Sequence, residues 1–178
     1  QIRPLDIVIP DQFIDRTHNR PATFFNEGIV AHVIMGDPFC RHLSSILSDI
    51  GENNIPSGRQ LHKGGTYLAM EGPAFSTRAE SNLYRKWGCS IIGMTNHTEA
   101  KLAREAEIAY ASLSMVTDYD CWNQTHGEVS VDMVIENLKI NTKVANKIIY
   151  ETAKVIDKER PKSEAHHSLR DGLMTRKE

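Results

Sequence analysis

The sequence predicts an α/β protein, a central mixed sheet flanked by helices, and three observations carry that prediction. Short apolar runs bounded by glycine and proline alternate with longer amphipathic runs in the order strand–helix–strand–helix–strand–helix. Short loops join them, as successive elements packed side by side require. The run Tyr110–Val116 has little polar relief, which suits a strand covered on both faces. The 178 residues are expected to form one domain, 1–178. A chain of this size buries about 70% of the surface it exposes when unfolded, enough for a sizeable core.

The elements follow in order. Leu5–Ile9, held between Pro4 and Pro10, reads as a strand that must pair with something. From Asp11 to Gly36, turn residues and aromatics mix without a period, so this stretch reads as mostly loop, with a candidate strand at Ile29–Met35. Asp37-Pro38 has the form of a helix start, Asp as N-cap and Pro at the first helical position, with Gly51 as the stop. Gly64–Met70 is a strand. Thr77 stands three residues before Glu80, the capping-box spacing, so a helix is expected from Arg78 to about Trp87. Ser90–Met94 is the next strand, and Glu99–Glu107, rich in Ala, Leu, Lys and Glu, the next helix. After the strand Tyr110–Val116, residues 117–128 form a polar loop. Ser130 then caps a long helix to about Lys158, with Val131, Val134, Leu138, Val144, Ile148 and Ile149 in helical period. One more short helix is expected at Ser163–Met174.

Composition removes several functions. With 21 basic and 23 acidic residues the net charge is −2, which leaves no electrostatic case for nucleic-acid or membrane-surface binding. No apolar run approaches the ~18 residues of a spanning helix. Three widely spaced cysteines make a disulfide framework unexpected and favour a reducing, cytoplasmic setting. The eight histidines show no metal-binding spacing, and no CxxC pair occurs, so no metal site is expected.

In α/β sheets, ligands bind where the carboxyl ends of strands meet loops. Three loops fall there: 71–76, 94–98 and 117–120. In the first, Phe75 offers a flat ring and Ser76 a hydroxyl beside a Gly-Pro turn; the alternative is that Phe75 is core and Ser76 a cap. In the second, Met94-Thr95 opens a helix whose positive end suits an anion; the alternative is that Thr95 or Thr98 only caps it. In the third, Asp118 and Asp120, two apart in extended chain, point to one side and are able to hold or protonate a base nitrogen. The alternative for them is a solvated loop.

Taken together and in order, EGPAFSTRAE, GMTN and VTDYDCW resemble 5′-methylthioadenosine phosphorylases of the trimeric purine nucleoside phosphorylase superfamily. IVIPDQFIDRT and HVIMGDPFC resemble the same family. The likeness covers almost the whole chain and thins after about Lys158. It is to the C-terminal three-fifths or so of the family, so the N-terminal part, with its Gly-rich and Arg-His phosphate segments, is expected in cis or as a separate chain. Residues 1–178 alone are then expected to be almost inactive.

The resemblance implies phosphorolysis of 5′-methylthioadenosine to adenine and 5-methylthioribose 1-phosphate, without a metal or organic cofactor and with inorganic phosphate as co-substrate. It implies Asp118 at the purine N7, with Asp120 on the 6-amino group or supporting Asp118. Phe75 would pack on the base, Met94 on the ribose, and Thr95 would bind phosphate. Ser76 and Asp118 match the adenine-type pattern. A carboxylate accepts from a 6-amino group and repels a 6-oxo group. Val131, Val134 and Ile135 would line an apolar 5′ pocket, and His32 would reach the pocket of a neighbour in a homotrimer. His97-Thr98 departs from the family, many of whose members have a proline there. The alternatives are a phosphorylase for another purine nucleoside or methylthioinosine, and a non-catalytic nucleoside-binding or assembly subunit.

Overall fold

The computed structural model describes residues 1–123, 130–170 and 172–175. It has mixed strand directions with flanking helices, as expected, but hydrogen bonding divides the strands into two three-stranded sheets. In the first, β1 (Ile7–Ile9) pairs parallel with β3 (Leu61–Lys63) and antiparallel with β6 (Ser114–Met115). In the second, β4 (Thr66–Met70) lies between β2 (Gln12–Arg16) and β5 (Cys89–Gly93), all parallel. The sheets are continuous through the chain. Ile7 faces Leu61 and Gln12 faces Thr66, the same 54-residue offset, so one parallel pair runs through both sheets. It bends where Pro10 lacks a ladder donor and Gly64-Gly65 take positive φ. The Asp11 carboxylate closes the bend by accepting from Gly65 N at 3.0 Å.

Several sequence expectations need correction. β2 and β3 were hidden, β2 because QFIDR is only half covered and shows no clean alternation, β3 because three residues carry no period. Ile29–Met35 is not a strand; only Ala31 bridges, to Leu173. Of Tyr110–Val116, only Ser114–Met115 forms a strand, with Val116 adding backbone bonds to Leu5 and Asp6. α1 (Arg41–Asn54) begins after Asp37-Pro38, because the Asp37 carboxylate pairs with Arg41 at 2.8 Å and Arg104 takes the carbonyls of Ile34 and Asp37. Gly51 does not stop α1. It lies inside the helix because Leu61 crosses it: a Cβ there would sit 2.2 Å from Leu61 Cδ1.

α2 (Arg78–Lys86) starts on the expected capping box, with Thr77 N donating to Glu80 Oε2 at 2.7 Å and Glu80 N to Thr77 Oγ1 at 3.3 Å. α3 (Asn96–Glu105) begins three residues earlier than expected. α4 (Val131–Glu159) is capped by Ser130, which accepts from Met133 N at 3.2 Å. The tail forms one 3-10 turn, Glu164–His167, in place of the helix Ser163–Met174. Of the polar loop 117–128, residues 124–128 lie outside the described ones, as does residue 171 in the tail.

α1 and α4 pack on the first sheet. Ile7, Ile9, Leu47 and Ile148 form the core there, joined by Ile50, Leu61 and Val144. Burying each such side chain contributes ~1.5–3 kcal/mol before entropy is counted. This core fixes β1, and with it the exit of β6 toward the cleft.

Candidate active site

A cleft of about 1020 Å³ opens beside β4, β5 and β6, and all three expected loops line it. Phe75, Ser76, Met94, Thr95, Asp118 and Asp120 face it together.

The loops after β4 and β5 are joined by Arg20, which the sequence reading passed over. Its guanidinium donates to Glu71 O at 2.5 Å, to Met94 O at 2.8 Å and to Glu71 Oε1 at 3.3 Å. The other Glu71 oxygen accepts from His18 N and Asn19 N. The His18 N–H, with Asn19 and Arg20 behind it, holds the Glu71 carboxyl below its usual range. An isolated arginine among turn residues carries no sequence signal for this.

Phe75 is 61% exposed, so it is not core, and Thr77 rather than Ser76 caps α2. The flat ring stands at the cleft mouth. Met94 lies across the Gly-Pro turn: Gly72 has φ +73°, and a Cβ there would come within 2.7 Å of Met94 Sδ. Thr95 occupies the N-cap position of α3, yet its side chain makes no capping bond. Its hydroxyl and N–H, with Asn96 N–H, meet the buried Tyr67 hydroxyl, whose pKa burial pushes up.

Asp118 is fixed from two sides. Asn141 and Asn137, one turn apart on α4, donate to Val116 O at 3.0 Å and to Thr117 O at 2.7 Å. Those bonds hold the strand exit against the helix. The Thr117 hydroxyl donates to Asp118 Oδ2 at 2.7 Å and Asp120 N to Oδ1 at 2.8 Å. Asp120 is not in extended chain, as its φ of +62° shows. Its carboxylate accepts from the Ser81 hydroxyl and from Cys121 N, tying the loop to α2. Asp120 thus supports Asp118 through its backbone, with its own carboxylate bonded inward.

Of the expected 5′ residues, Val134 lines the cleft. Val131 and Ile135 are 64% and 44% exposed and are not among its lining residues. His32 is exposed outside the cleft, with its N–H on Gly172 O at 2.7 Å. Four further lining residues went unread in the sequence. Tyr110 donates to Glu99 Oε2 at 2.6 Å, and burial together with that carboxylate pushes its pKa far up. Arg85 stacks on Trp122 at 3.7 Å from the ring centre, clamping the Asp118 loop to α2. In sequence, Tyr110 falls within the apolar run Tyr110–Val116 and Arg85 within the helix expected from Arg78 to about Trp87, and neither range marks a site.

His97, where the family pattern has its proline nearby, is buried. Its Nε2 lies 3.0 Å from Asp15 Oδ2 and its ring meets Phe13 edge-on. Burial lowers its pKa, Lys101 adds to that, and Asp15 opposes it. α3 starts regularly without the proline. Among the described residues no group of three His, Cys, Asp or Glu could hold a metal ion, and no helix is long and apolar enough to cross a membrane.

A parallel pair bent through two sheets places three strand-end loops over a fixed carboxylate, and comparison gives the family to which this arrangement belongs. Residues 1–154 match the model of the phosphorylase superfamily, and the chain belongs to that superfamily. It is 69% identical, over 100% of its length, to an S-methyl-5′-thioadenosine phosphorylase of Prochlorococcus marinus, covering 57% of that protein. To the enzyme of the same name from Thermosynechococcus vestitus it is 57% identical, over 98% of this chain and 60% of that one. Among solved structures, a methylthioadenosine phosphorylase from an antarctic soil metagenomic library superposes with TM-score 0.92 at 50% identity, over 98% of this chain and 61% of that one. The Schistosoma mansoni methylthioadenosine phosphorylase in complex with adenine gives 0.81 at 32% identity, over 88% and 61%. The chain therefore spans about three-fifths of the length of these relatives.

Proposed function

We propose that the chain carries the purine- and pentose-binding part of a 5′-methylthioadenosine phosphorylase, a pentosyltransferase. The observation that carries this reading is the fixed Asp118 facing the cleft shared by Phe75, Met94 and Thr95. The named relatives supply the substrate.

A phosphate oxygen attacks C1′ of the ribose, and the C1′–N9 bond breaks through an oxocarbenium-like state. Its electron pair passes to the purine. Asp118 shares or donates a proton at N7, stabilising the transition state more than the ground state. Phe75 packs on the base and Met94 on the ribose, and the hydroxyl of Thr95 serves the phosphate. Val134 lies against the methylthio group, where an apolar contact is worth ~1–3 kcal/mol against a hydroxyl. No metal or organic cofactor takes part, and phosphate is the co-substrate. The working form is a cytoplasmic homotrimer in which His32, with Val131 and Ile135, completes a 5′ pocket.

The test is stoichiometry in the full-length enzyme carrying this sequence. Adenine release from methylthioadenosine must require phosphate and be matched by an equal amount of pentose 1-phosphate. Release that ignores phosphate would make the protein a hydrolase, and no release at all would leave a binding subunit.

A further inference from the structure

The first turn of α3 holds a side chain that the described protein leaves unsatisfied. Asn96 is 3% exposed and lines the cleft beside Thr95, yet neither its Nδ2 nor its Oδ1 has a hydrogen-bond partner. Buried amides are almost always paired, and an orphaned one is a cost that a binding site can recover when its ligand arrives. The helix does not use this amide, since α3 has no side-chain cap. Neighbouring charges are already engaged. Lys101 lies 3.8 Å from Asp15, Arg20 is spent on Glu71 and Met94 O, and Glu99 accepts from Tyr110.

A ligand that satisfies this amide accepts from Nδ2 and donates to Oδ1, at the positive end of a ten-residue helix. A protonated oxyanion does both. Inorganic phosphate near neutral pH keeps at least one P–OH, whereas sulfate offers acceptors only. We propose that Asn96 reads the proton on phosphate, with Nδ2 donating to a P–O⁻ oxygen and Oδ1 accepting from P–OH, and so selects phosphate over sulfate. The proposal rests on phosphate being the co-substrate, and it adds a specificity-determining residue beside Thr95.

The experiment compares the full-length enzyme with Asn96→Ala and Asn96→Asp, titrating inorganic phosphate and sulfate by thermal shift and measuring both KM values. Asn96→Ala should weaken phosphate about tenfold and sulfate less than twofold, since one paired amide is lost. KM for phosphate should rise by the same factor, with KM for methylthioadenosine steady. The unliganded Tm should hold, because the amide makes no bond among the described residues. Asn96→Asp should weaken both anions. Phosphate affinity unchanged in both variants overturns the proposal, as does an equal loss for sulfate. A lowered unliganded Tm with both KM values moving together also overturns it and makes Asn96 structural. If phosphate binds through Asn96 but no phosphorolysis occurs, the phosphorylase reading fails and this one stands.

Discussion

Asp6 and Tyr110 show how single residues divide between fold and chemistry. Asp6 is 1% exposed and lies outside the cleft. Burial raises its pKa, but the bond from His62 at 2.9 Å and the N–H groups of Gln60 and Arg3 outweigh burial and hold it below the usual carboxylate range. A carboxyl lowered on folding stabilises the protein above its unfolded pKa, and that contribution is lost as pH falls through the folded value. Asp6→Asn should therefore flatten the loss of stability on acidification from about pH 5 to about pH 3, read by denaturant unfolding at each pH. An unchanged slope would mean that Asp6 carries no acid sensitivity. Tyr110 belongs to the site. Without its hydroxyl, Glu99 in the first turn of α3 stands as a free negative charge beside the proposed phosphate. Tyr110→Phe should raise KM for phosphate ~2–10-fold, the worth of one such bond, and leave KM for methylthioadenosine within about twofold. Adding Glu99→Gln should reverse the rise. A rise that persists in the double variant would point to lost packing instead.

Elements were legible where the local rule and the tertiary demand agree. The box at Thr77 and Glu80 and the cap at Ser130 start α2 and α4 as read, because their bonds are local. Gly51 misled because its reason is a contact from 10 residues away in sequence, the Leu61 side chain crossing α1. That contact reverses the sign of a common expectation. Helix propensity alone gives Gly51→Ala a gain of about 0.5–1 kcal/mol. The 2.2 Å approach predicts a net loss of ~1–3 kcal/mol from overpacking, visible as a lower midpoint in urea. A gain would show that Leu61 moves aside freely. The strand-end loops were legible as a group, since α/β topology places them before any residue is assigned. Arg20, Arg85 and Tyr110 were not, because what singles them out is which distant carbonyl, ring or carboxylate they meet.

At the scale of the molecule, one group of exposed apolar residues lies on the segment that carries His32 and on the tail beside it. Ile29, Val30, Ile34 and Met174 are 46%, 45%, 79% and 68% exposed, and Met174 N bonds Val30 O, so the tail and this segment form one surface. In the proposed trimer that surface meets a neighbour. Ile34→Asp should then shift sedimentation of the full-length enzyme toward the monomer at micromolar concentration and raise KM for methylthioadenosine, since His32 would no longer reach the neighbouring pocket. A variant that remains trimeric would place the interface elsewhere.

The central claim is that Asp118 acts on the departing purine, and kcat for two substrates in one variant tests it most directly. Asn at this position still bonds N7 but cannot protonate it, and its amide can turn to donate to a 6-oxo group. Proton transfer of this kind is worth ~10²–10⁴-fold. Asp118→Asn in the full-length enzyme should therefore lower kcat with methylthioadenosine about a hundredfold or more, and lower it less with a 6-oxopurine nucleoside. Near-unchanged kcat for methylthioadenosine would contradict the assignment and pass the role to Asp120, whose carboxylate is bonded to Ser81 and Cys121.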